Sequence, residues 1–511
     1  MNDLWEAISG LGDQLAAHVL LSAAAIALGI VVALPLAVWA SRSPAVARGA
    51  LAFASLVQTI PALALLALFF PILLSLRAVF GEGLPTLGFL PALLALALYA
   101  LLPILRNAVT AQANLDPGVI EAARGVGMSF RQRLLLVEAP LSAPYIMAGI
   151  RTAAVWTIGA ATLATTIGQK SLGDPIFAGL QTQNWVLVLA GCFASAGLAL
   201  LADTLLGTIE RGFRERKRGL WLGGMAAVLL GVGTALFAQF GGEDEDTVVI
   251  GAKGFSEQYI LARLIGQRLE AEGFAVEYRD GLGSAIAHSA AASGDVDVYV
   301  DYTGTIWTNQ MKRMENPSRE EMYDEIVRWE DENTGMRVLG RLGFENAYGL
   351  AVRAETFHMT GVETIDDLAR VASQMTVGGD PEFFERPEWI AVRDAYGLRF
   401  AGQRNFSPTF MYNALQSGEA DVIGAYTSDG RIVADNLVIL DDPRGAFPNY
   451  DAVLLLSPQA SADAALVSAL EPLIDAIDVG AMREANYSVD REDDKLSFDD
   501  AARKLADQIG L

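Results

Sequence analysis

Residues 1–240 carry six long apolar segments that are separated by short polar connections. The segments lie at about residues 18–40, 51–75, 88–105, 145–168, 184–207 and 220–238. About 20 mostly apolar residues are enough to cross a bilayer as an α-helix. The pattern therefore predicts an all-α transmembrane domain over residues 1–240, with the lipid bilayer around it. The first segment is long and leads into further spans, so we interpret it as an uncleaved helix.

Basic residues are concentrated in alternate connections, and this predicts the orientation of the spans. They follow the first, third and fifth segments, at Arg42, Arg48, Arg106, Arg124, Arg131, Arg133, Arg211, Arg214, Arg216, Lys217 and Arg218. Cytoplasmic loops of membrane proteins carry such an excess. We therefore expect a multi-pass protein of the bacterial cytoplasmic (inner) membrane, with its N-terminus and its C-terminal half on the extracytoplasmic side.

The hydrophobic pattern changes after residue 240. Residues 241–247, with the sequence GGEDEDT, predict an acidic linker. Beyond it, short alternating strand patterns are followed by helix patterns, first from 247 to 302 and again from about 363 to 442. Such repetition predicts sheets covered by helices. With crossings near 343–352 and 446–456, residues 248–511 are expected to form an α/β domain of two lobes around a ligand cleft.

Charge separates the two halves as clearly as hydropathy does. Residues 1–241 hold 14 Lys and Arg and 11 Asp and Glu, a net charge of +3. The whole chain has a net charge of −23, so residues 242–511 have a net charge of −26. Neither half has the dense basic face that nucleic acid requires, so we expect no nucleic-acid partner. The lone cysteine, Cys192, and three scattered histidines predict no metal site, and we expect no cofactor.

Aromatic residues beside polar ones recur where the predicted strands of the second half meet loops. Tyr302, Tyr348 and Tyr426 have this placement. Ring faces attract a quaternary ammonium group, which has no N–H to donate. Arg386, in GDPEFFERPEW, could bind a carboxylate of the same ligand through a forked pair of hydrogen bonds. The alternatives are that the tyrosines only fill the core and that Arg386 pairs with Glu382 or Glu385.

A charged segment, EAARGVGMSFRQRLLLVEAP at residues 121–140, lies between two apolar spans on the predicted cytoplasmic side. Glycine accommodates turns, so we expect two short helices around Gly125 and Gly127, the second of them ended by Pro140. This helix-turn-helix could receive a push from a soluble partner. The alternative is a solvated loop that merely joins the two spans.

The same segment resembles the EAA signature of permeases of the ATP-binding-cassette (ABC) importers. The matching positions are Glu121, Ala122, Ala123, Gly127 and Pro140. In that family the segment docks on an ATPase subunit. The resemblance implies that an ABC ATPase is a partner and that the permease works as a homodimer. The sequence contains no phosphate loop, so ATP hydrolysis is assigned to the partner and this chain is not expected to be an enzyme.

Residues 248–505 resemble the substrate-binding proteins of osmoprotectant uptake systems. The stretches GAKGFSEQYILARL, DVYVDYTGT and AYTSDGRI carry this resemblance. It implies ATP-driven import of glycine betaine, choline, carnitine or ergothioneine. It also implies ligand contacts from Gln258, Thr303, Asn346, Tyr348 and Tyr426. The aromatic and polar clusters described above add Tyr302, Arg386 and Asp429 to these candidates.

Two other functions stay open at this point. A membrane-anchored clamshell could act as a sensor of a small solute, although no signalling domain follows any span. An importer could carry a different small polar solute. An enzyme on the outer face would need a nucleophile, base or metal set, and the sequence offers no such motif.

Overall fold

The computed structural model describes residues 2–81, 84–182, 184–240, 247–313, 315–406, 408–491 and 493–511. The chain folds as two compact units. The helical unit comprises residues 1–177 and 186–244, and the α/β unit comprises residues 178–185 and 245–511. The predicted linker lies outside the described residues, apart from Thr247, which begins the first strand.

The helical unit is built from α-helices whose long members are almost entirely apolar. Its helices are α1 (Asn2–Ser9), α2 (Gly12–Ala40), α3 (Pro44–Thr59), α4 (Ala62–Phe80), α5 (Phe89–Ala113), α6 (Pro117–Gly125), α7 (Phe130–Arg133), α8 (Ala139–Ala161), α9 (Asp174–Gln181), α10 (Trp185–Arg214) and α11 (Arg218–Phe240). Among the described residues, six helical stretches are long and apolar enough to cross a membrane. The prediction of six spans is confirmed.

The second span differs from the prediction in its position. We expected it at 51–75, but α3 ends at Thr59 and the apolar helix of spanning length is α4. The break falls at Ile60, whose backbone is extended with ψ of 128°. A residue before proline is pushed out of the helical region by the ring, and Pro61 follows Ile60.

Small residues allow the spans of the helical unit to approach closely. A Cβ atom placed on Gly149 of α8 would lie 2.7 Å from the carbonyl oxygen of Pro103 and 2.8 Å from Cβ of Asn107, both on α5. Membrane helices associate through such small-residue contacts, because lipid gives them no hydrophobic driving force. The absence of a side chain at Gly149 therefore sets the distance between α5 and α8.

The α/β unit contains two five-stranded mixed sheets. The strands are β1 (Thr247–Lys253), β2 (Ala275–Leu282), β3 (Val298–Tyr302), β4 (Arg337–Glu345), β5 (Tyr348–Arg353), β6 (Thr376–Gly379), β7 (Gly402–Asn405), β8 (Val422–Tyr426), β9 (Leu437–Ile439) and β10 (Asp451–Leu456). The first sheet has the order β2-β1-β3-β10-β4 and the second β7-β6-β8-β5-β9. We call the parts built on them the first and second lobes.

Helices alternate with these strands and then close the chain. They are α12 (Ser256–Ala271), α13 (Ser284–Ala292), α14 (Thr303–Thr305), α15 (Arg319–Asn333), α16 (Ala354–Thr360), α17 (Ile365–Val371), α18 (Pro381–Glu385), α19 (Pro387–Tyr396), α20 (Pro408–Gln416), α21 (Arg431–Ala434), α22 (Ala464–Leu470), α23 (Val479–Asp490) and α24 (Phe498–Ile509). The chain enters the second lobe between β4 and β5 and returns as β10, which pairs antiparallel with β3 and β4. The predicted two-lobed α/β fold is confirmed.

The contact at Gly149 yields a test of helix packing. Gly149→Val should force α8 away from α5 and lower the thermal midpoint of the detergent-solubilised chain, because overpacking costs about 1–3 kcal/mol. Gly159→Val is the matched control, since a Cβ on Gly159 of the same helix meets nothing within 4 Å. Equal midpoints for the two variants would show that the close approach at Gly149 does not limit packing.

Candidate ligand-binding site and coupling segment

Strand register brings two of the candidate tyrosines together. Tyr348 is the first residue of β5 and Tyr426 is the last residue of β8. The two strands are antiparallel, and Tyr348 lies directly opposite Tyr426 in the ladder. Side chains in such a pair share one face of the sheet. Their ring centres are accordingly 5.0 Å apart.

Tyr348 is the centre of a larger group that we call the ring cluster: Tyr348, Phe383, Tyr426 and Tyr450. The ring centre of Tyr348 is 5.3 Å from that of Phe383 and 5.7 Å from that of Tyr450, which meets it edge-on. Phe383 comes from α18 in the second lobe, and Tyr450 directly precedes β10. Tyr450 was not among the predicted ligand residues, although it also stands at a strand end beside polar residues.

The phenols of the ring cluster remain protonated at neutral pH. Burial raises the pKa of Tyr426 well above its ordinary value, and nearby Tyr348 and Asp380 add to the shift. Burial, and then the negative charge of Glu388, likewise raise the pKa of Tyr450. Neutral rings keep the negative faces that attract cations. The Tyr450 hydroxyl donates to Glu388.

A buried pair of opposite charges adjoins these rings. The guanidinium carbon of Arg386 lies 5.4 Å from the centre of the Tyr348 ring. Its Nη1 atom is 3.8 Å from Oε1 of Glu388, and both side chains are largely buried. The sequence suggested Glu382 or Glu385 as the partner of Arg386, and the structure adds Glu388. The Thr308 hydroxyl, from the first lobe, lies 3.4 Å from the same Glu388 oxygen.

The other candidates of the first lobe meet around a different carboxylate, that of Glu257. Gln258 donates from Nε2 to the Tyr302 hydroxyl at 3.0 Å. The Tyr302 hydroxyl donates to Glu257 at 2.5 Å, and Asn346 Nδ2 donates to the same oxygen at 3.0 Å. The backbone N–H of Asn346 also donates to the carbonyl of Tyr450 at 2.9 Å, which links this group to the ring cluster.

Thr303 and Asp429 have different surroundings. The Thr303 hydroxyl donates to the carbonyl of Asn449 and accepts from the N–H of Asp451, so it ties the end of β3 to the start of β10. Asp429 forms an ion pair with Arg431 at 2.6 Å, and that guanidinium stacks 4.1 Å from the Tyr412 ring centre. The ligand roles of both residues stay predictions.

The charged segment at 121–140 forms two helices, as predicted. Helix α6 is capped by Asp116, which accepts from the N–H of Gly118 at 2.8 Å. After α6, Gly127 adopts φ of +80°, a conformation that side chains disfavour. Helix α7 then begins at a capping box formed by Ser129 and Gln132.

The residues of this charged segment differ in their exposure to solvent. Glu121, Ala122 and Pro140 are exposed and Ala123 is buried. Val126, Leu135 and Leu136 are apolar and at least 65% exposed. Exposed apolar side chains in a polar segment are typical of a docking surface.

The prediction that Pro140 ends the second helix is wrong. The chain stays helical through a π-helical turn, Leu134–Glu138, and continues into α8. Pro140 lies in the first turn of α8. A π turn shifts the backbone hydrogen bonds by one residue, and this accommodates a proline that lacks a donor. Arg133 and Glu138 form an ion pair at 2.6 Å across the turn.

Comparison with known proteins identifies both units. Residues 25–215 match the family described as the binding-protein-dependent transport system inner membrane component. Residues 246–508 match the family described as the substrate binding domain of the ABC-type glycine betaine transport system. The chain therefore belongs to the ABC-type glycine betaine transport family, as an inner-membrane permease with a fused substrate-binding domain.

Three curated relatives show how the two parts occur elsewhere. The ergothioneine transport permease/ergothioneine binding protein EgtU of Helicobacter pylori (strain G27) is 30% identical over 478 residues, which cover 89% of this chain and 82% of EgtU. The carnitine transport permease protein OpuCB of Listeria monocytogenes is 41% identical over 207 residues, 40% of this chain and 89% of OpuCB. A glycine-betaine-binding protein of Pseudomonas aeruginosa is 29% identical over 263 residues, 48% of this chain and 83% of that protein. These relatives are transport proteins, and the predicted family and transport function are confirmed.

The positive φ of Gly127 yields a test of the charged segment at residues 121–140. Gly127→Val should reduce ATP-driven uptake about tenfold while ligand binding is kept, because the left-handed conformation costs a side chain about 1–2 kcal/mol. Gly125→Val is the control, since Gly125 ends α6 without a positive φ and a Cβ there meets nothing within 4 Å. Uptake that falls equally in both variants would contradict a special role of Gly127.

The buried carboxyl of Asp490 yields a test of pH dependence. Burial raises its pKa to about 6, partly offset by Arg431. The folded state therefore binds a proton that the unfolded state releases near pH 4, and stability should fall as pH rises through 6. Asp490→Asn should raise the free energy of unfolding at pH 7.5, by up to about 3 kcal/mol, and flatten its dependence on pH between about 4 and 6.

Thermal unfolding of the full chain measures this effect. Asp394→Asn is the control, because Asp394 is an exposed carboxylate of the same unit. A slope for Asp490→Asn equal to that of the wild type would assign the pH dependence to other groups.

Proposed function

We propose that this chain imports a betaine, a zwitterion that carries both a trimethylammonium group and a carboxylate. The observation that carries the proposal is the guanidinium of Arg386 lying 5.4 Å from the Tyr348 ring, in the middle of the ring cluster. Ring faces suit the trimethylammonium group, which has no N–H. The guanidinium suits a carboxylate, which it can bind through two parallel hydrogen bonds.

Glu388 strengthens the choice of a zwitterion. Its carboxylate lies beside Arg386 and accepts from Tyr450, so the site presents one negative and one positive group next to neutral rings. A ligand that carries both charges can complement each of them. A purely cationic ligand such as choline brings no carboxylate of its own to the guanidinium.

Ergothioneine is the first candidate among the betaines. The Asn346 Oδ1 atom is buried and has no hydrogen-bond partner among the described residues. A buried acceptor that stays unsatisfied costs about 1–3 kcal/mol. Ergothioneine brings ring N–H groups that could satisfy it, whereas glycine betaine has none. The similarity to EgtU over both units supports the same choice.

In the proposed cycle, two copies of this chain form the pathway and two ATPase subunits power it. The α/β unit lies on the extracytoplasmic side, and its lobes close over the ligand. Covalent attachment keeps its effective concentration near the permease on the order of millimolar. ATP binding by the partner acts on the segment that contains Glu121, Ala122, Ala123, Gly127 and Pro140. The ligand contacts are Gln258, Tyr302, Thr303, Asn346, Tyr348, Arg386, Tyr426 and Asp429.

Calorimetry on the full chain in nanodiscs tests the ligand class. Ergothioneine, carnitine and glycine betaine should bind more tightly than choline, by about tenfold or more, because a charged hydrogen-bonded pair contributes about 1.5–3 kcal/mol. Arg386→Gln should remove this preference by weakening the carboxylate ligands and sparing choline.

Arg404→Gln is the matched control, because Arg404 is an exposed arginine of the same lobe that pairs with Glu419. Equal losses for choline and the betaines in Arg386→Gln would contradict recognition of a carboxylate. Failure of all four compounds to bind the wild-type chain would overturn the proposed function itself.

A further inference from the structure

Glu257 is a buried carboxylate that the predicted ligand contacts do not include. It lies in the first turn of α12, in the first lobe, and its side chain is only 3% exposed. An ionised carboxylate away from water is costly unless hydrogen bonds compensate it. The hydrogen-bond donors around Glu257 therefore indicate why a carboxylate is kept at this buried position.

Neutral donors converge on this carboxylate. Oε1 accepts from the Tyr302 hydroxyl at 2.5 Å and from Asn346 Nδ2 at 3.0 Å. Oε2 accepts from Asn486 Nδ2 at 3.0 Å. Burial raises the pKa of Glu257, and the hydrogen bonds from Tyr302, Asn486 and Asn346 oppose that shift. These three donors favour the ionised form.

The donors come from three different parts of the α/β unit. Tyr302 ends β3 in the first lobe, Asn346 lies on the crossing between β4 and β5, and Asn486 lies on α23. Asn486 Nδ2 also donates, at 2.9 Å, to the carbonyl of Ser428, which follows β8 in the second lobe. The Asn486 amide thus links the Glu257 carboxylate to the second lobe.

Two of these donors are themselves candidate ligand contacts. Tyr302 and Asn346 have their polar ends set by Glu257, and the N–H of Asn346 also donates to the Tyr450 carbonyl of the ring cluster. A shift of Glu257 relative to the crossing would move both contacts together. The Asn486 amide adds the second lobe to this group, because it donates both to Glu257 and to the Ser428 carbonyl.

We propose that Glu257 is a positioning residue that couples ligand retention to the closure of the lobes. It holds Tyr302 and Asn346 in register with the crossing, and it orients the Asn486 amide that donates to the Ser428 carbonyl when the second lobe closes. The proposal rests on the proposed function, because it concerns the same ligand site. It assigns to Glu257 a role in slowing ligand release rather than in contacting the ligand.

The first test removes the amide that bridges Glu257 and the second lobe. In the full chain in nanodiscs, Asn486→Ala should raise the dissociation rate of ergothioneine or glycine betaine about tenfold, since hydrogen bonds to charged groups are the strong ones. The association rate should change little, because the contact with the second lobe forms on closure. Ser488→Ala is the matched control: Ser488 lies on the same helix, is equally buried, and its hydroxyl donates to Ala485 within that helix.

The second test asks whether the effect passes through Glu257. Glu257→Gln keeps the shape but offers one amide group to neighbouring donors, so it should also speed dissociation. In that background Asn486→Ala should add little, because residues of one network are not additive. A purely structural role would change the thermal midpoint without this dependence of one substitution on the other.

The outcomes separate this inference from the proposed function. A wild-type chain that binds neither probe would overturn the proposed function and this inference with it. A wild-type chain that binds, with equal dissociation rates for Asn486→Ala and Ser488→Ala, would overturn the inference alone. The same conclusion would follow if Asn486→Ala had its full effect in the Glu257→Gln background.

Discussion

Antiparallel pairing of β5 with β8 determines where the candidate ligand site can form. The register sets Tyr348 opposite Tyr426, and a slip of one strand by one residue would place the two rings on opposite faces of the sheet. Phe383 and Tyr450 then have a fixed surface to pack on, and Arg386 is held above the central ring. One backbone ladder in the second lobe thus organises side chains from four separate stretches of sequence.

Buried charges complete this arrangement in the first lobe. Lys253 and Asp301 form a buried ion pair, and Asp301 also accepts from the Tyr299 hydroxyl at 2.9 Å and the N–H of Tyr302 at 2.7 Å. The Lys253 ammonium lies 5.2 Å from the centre of the Tyr302 ring. Tyr302 is therefore held at its ring by this pair and at its hydroxyl by Glu257. Separating a buried ion pair leaves uncompensated charges, so Lys253 and Asp301 are strongly held together.

Local patterns explain which features the sequence could predict. The six spans, the turn at Gly127 and the order of strands and helices follow from hydropathy, glycine and periodicity within short windows. The predicted position of the second span was wrong because Pro61 forces Ile60 out of the helical conformation, and the continuous apolar run hides this break. The prediction for Pro140 was wrong because the π turn that accommodates this proline depends on how the segment joins α8.

Long-range convergence limited the prediction of the site. Tyr302, Tyr348 and Tyr426 stood out individually, yet the pairing that brings the last two together spans 78 positions. The central role of Glu257 depends on donors up to 229 positions away, and no short motif indicates it. Arg386 and Glu388 are only two residues apart, but the sequence alone does not distinguish this pairing from one with Glu382 or Glu385.

The fusion of permease and substrate-binding domain in one polypeptide has a consequence for how the cell can adjust uptake. A separately encoded receptor can be synthesised in excess to scavenge a scarce solute. Here every chain carries one of each part, so synthesis of this chain supplies permease and receptor in a fixed one-to-one ratio. Capture at low solute levels by this chain then depends on affinity and residence time within each molecule.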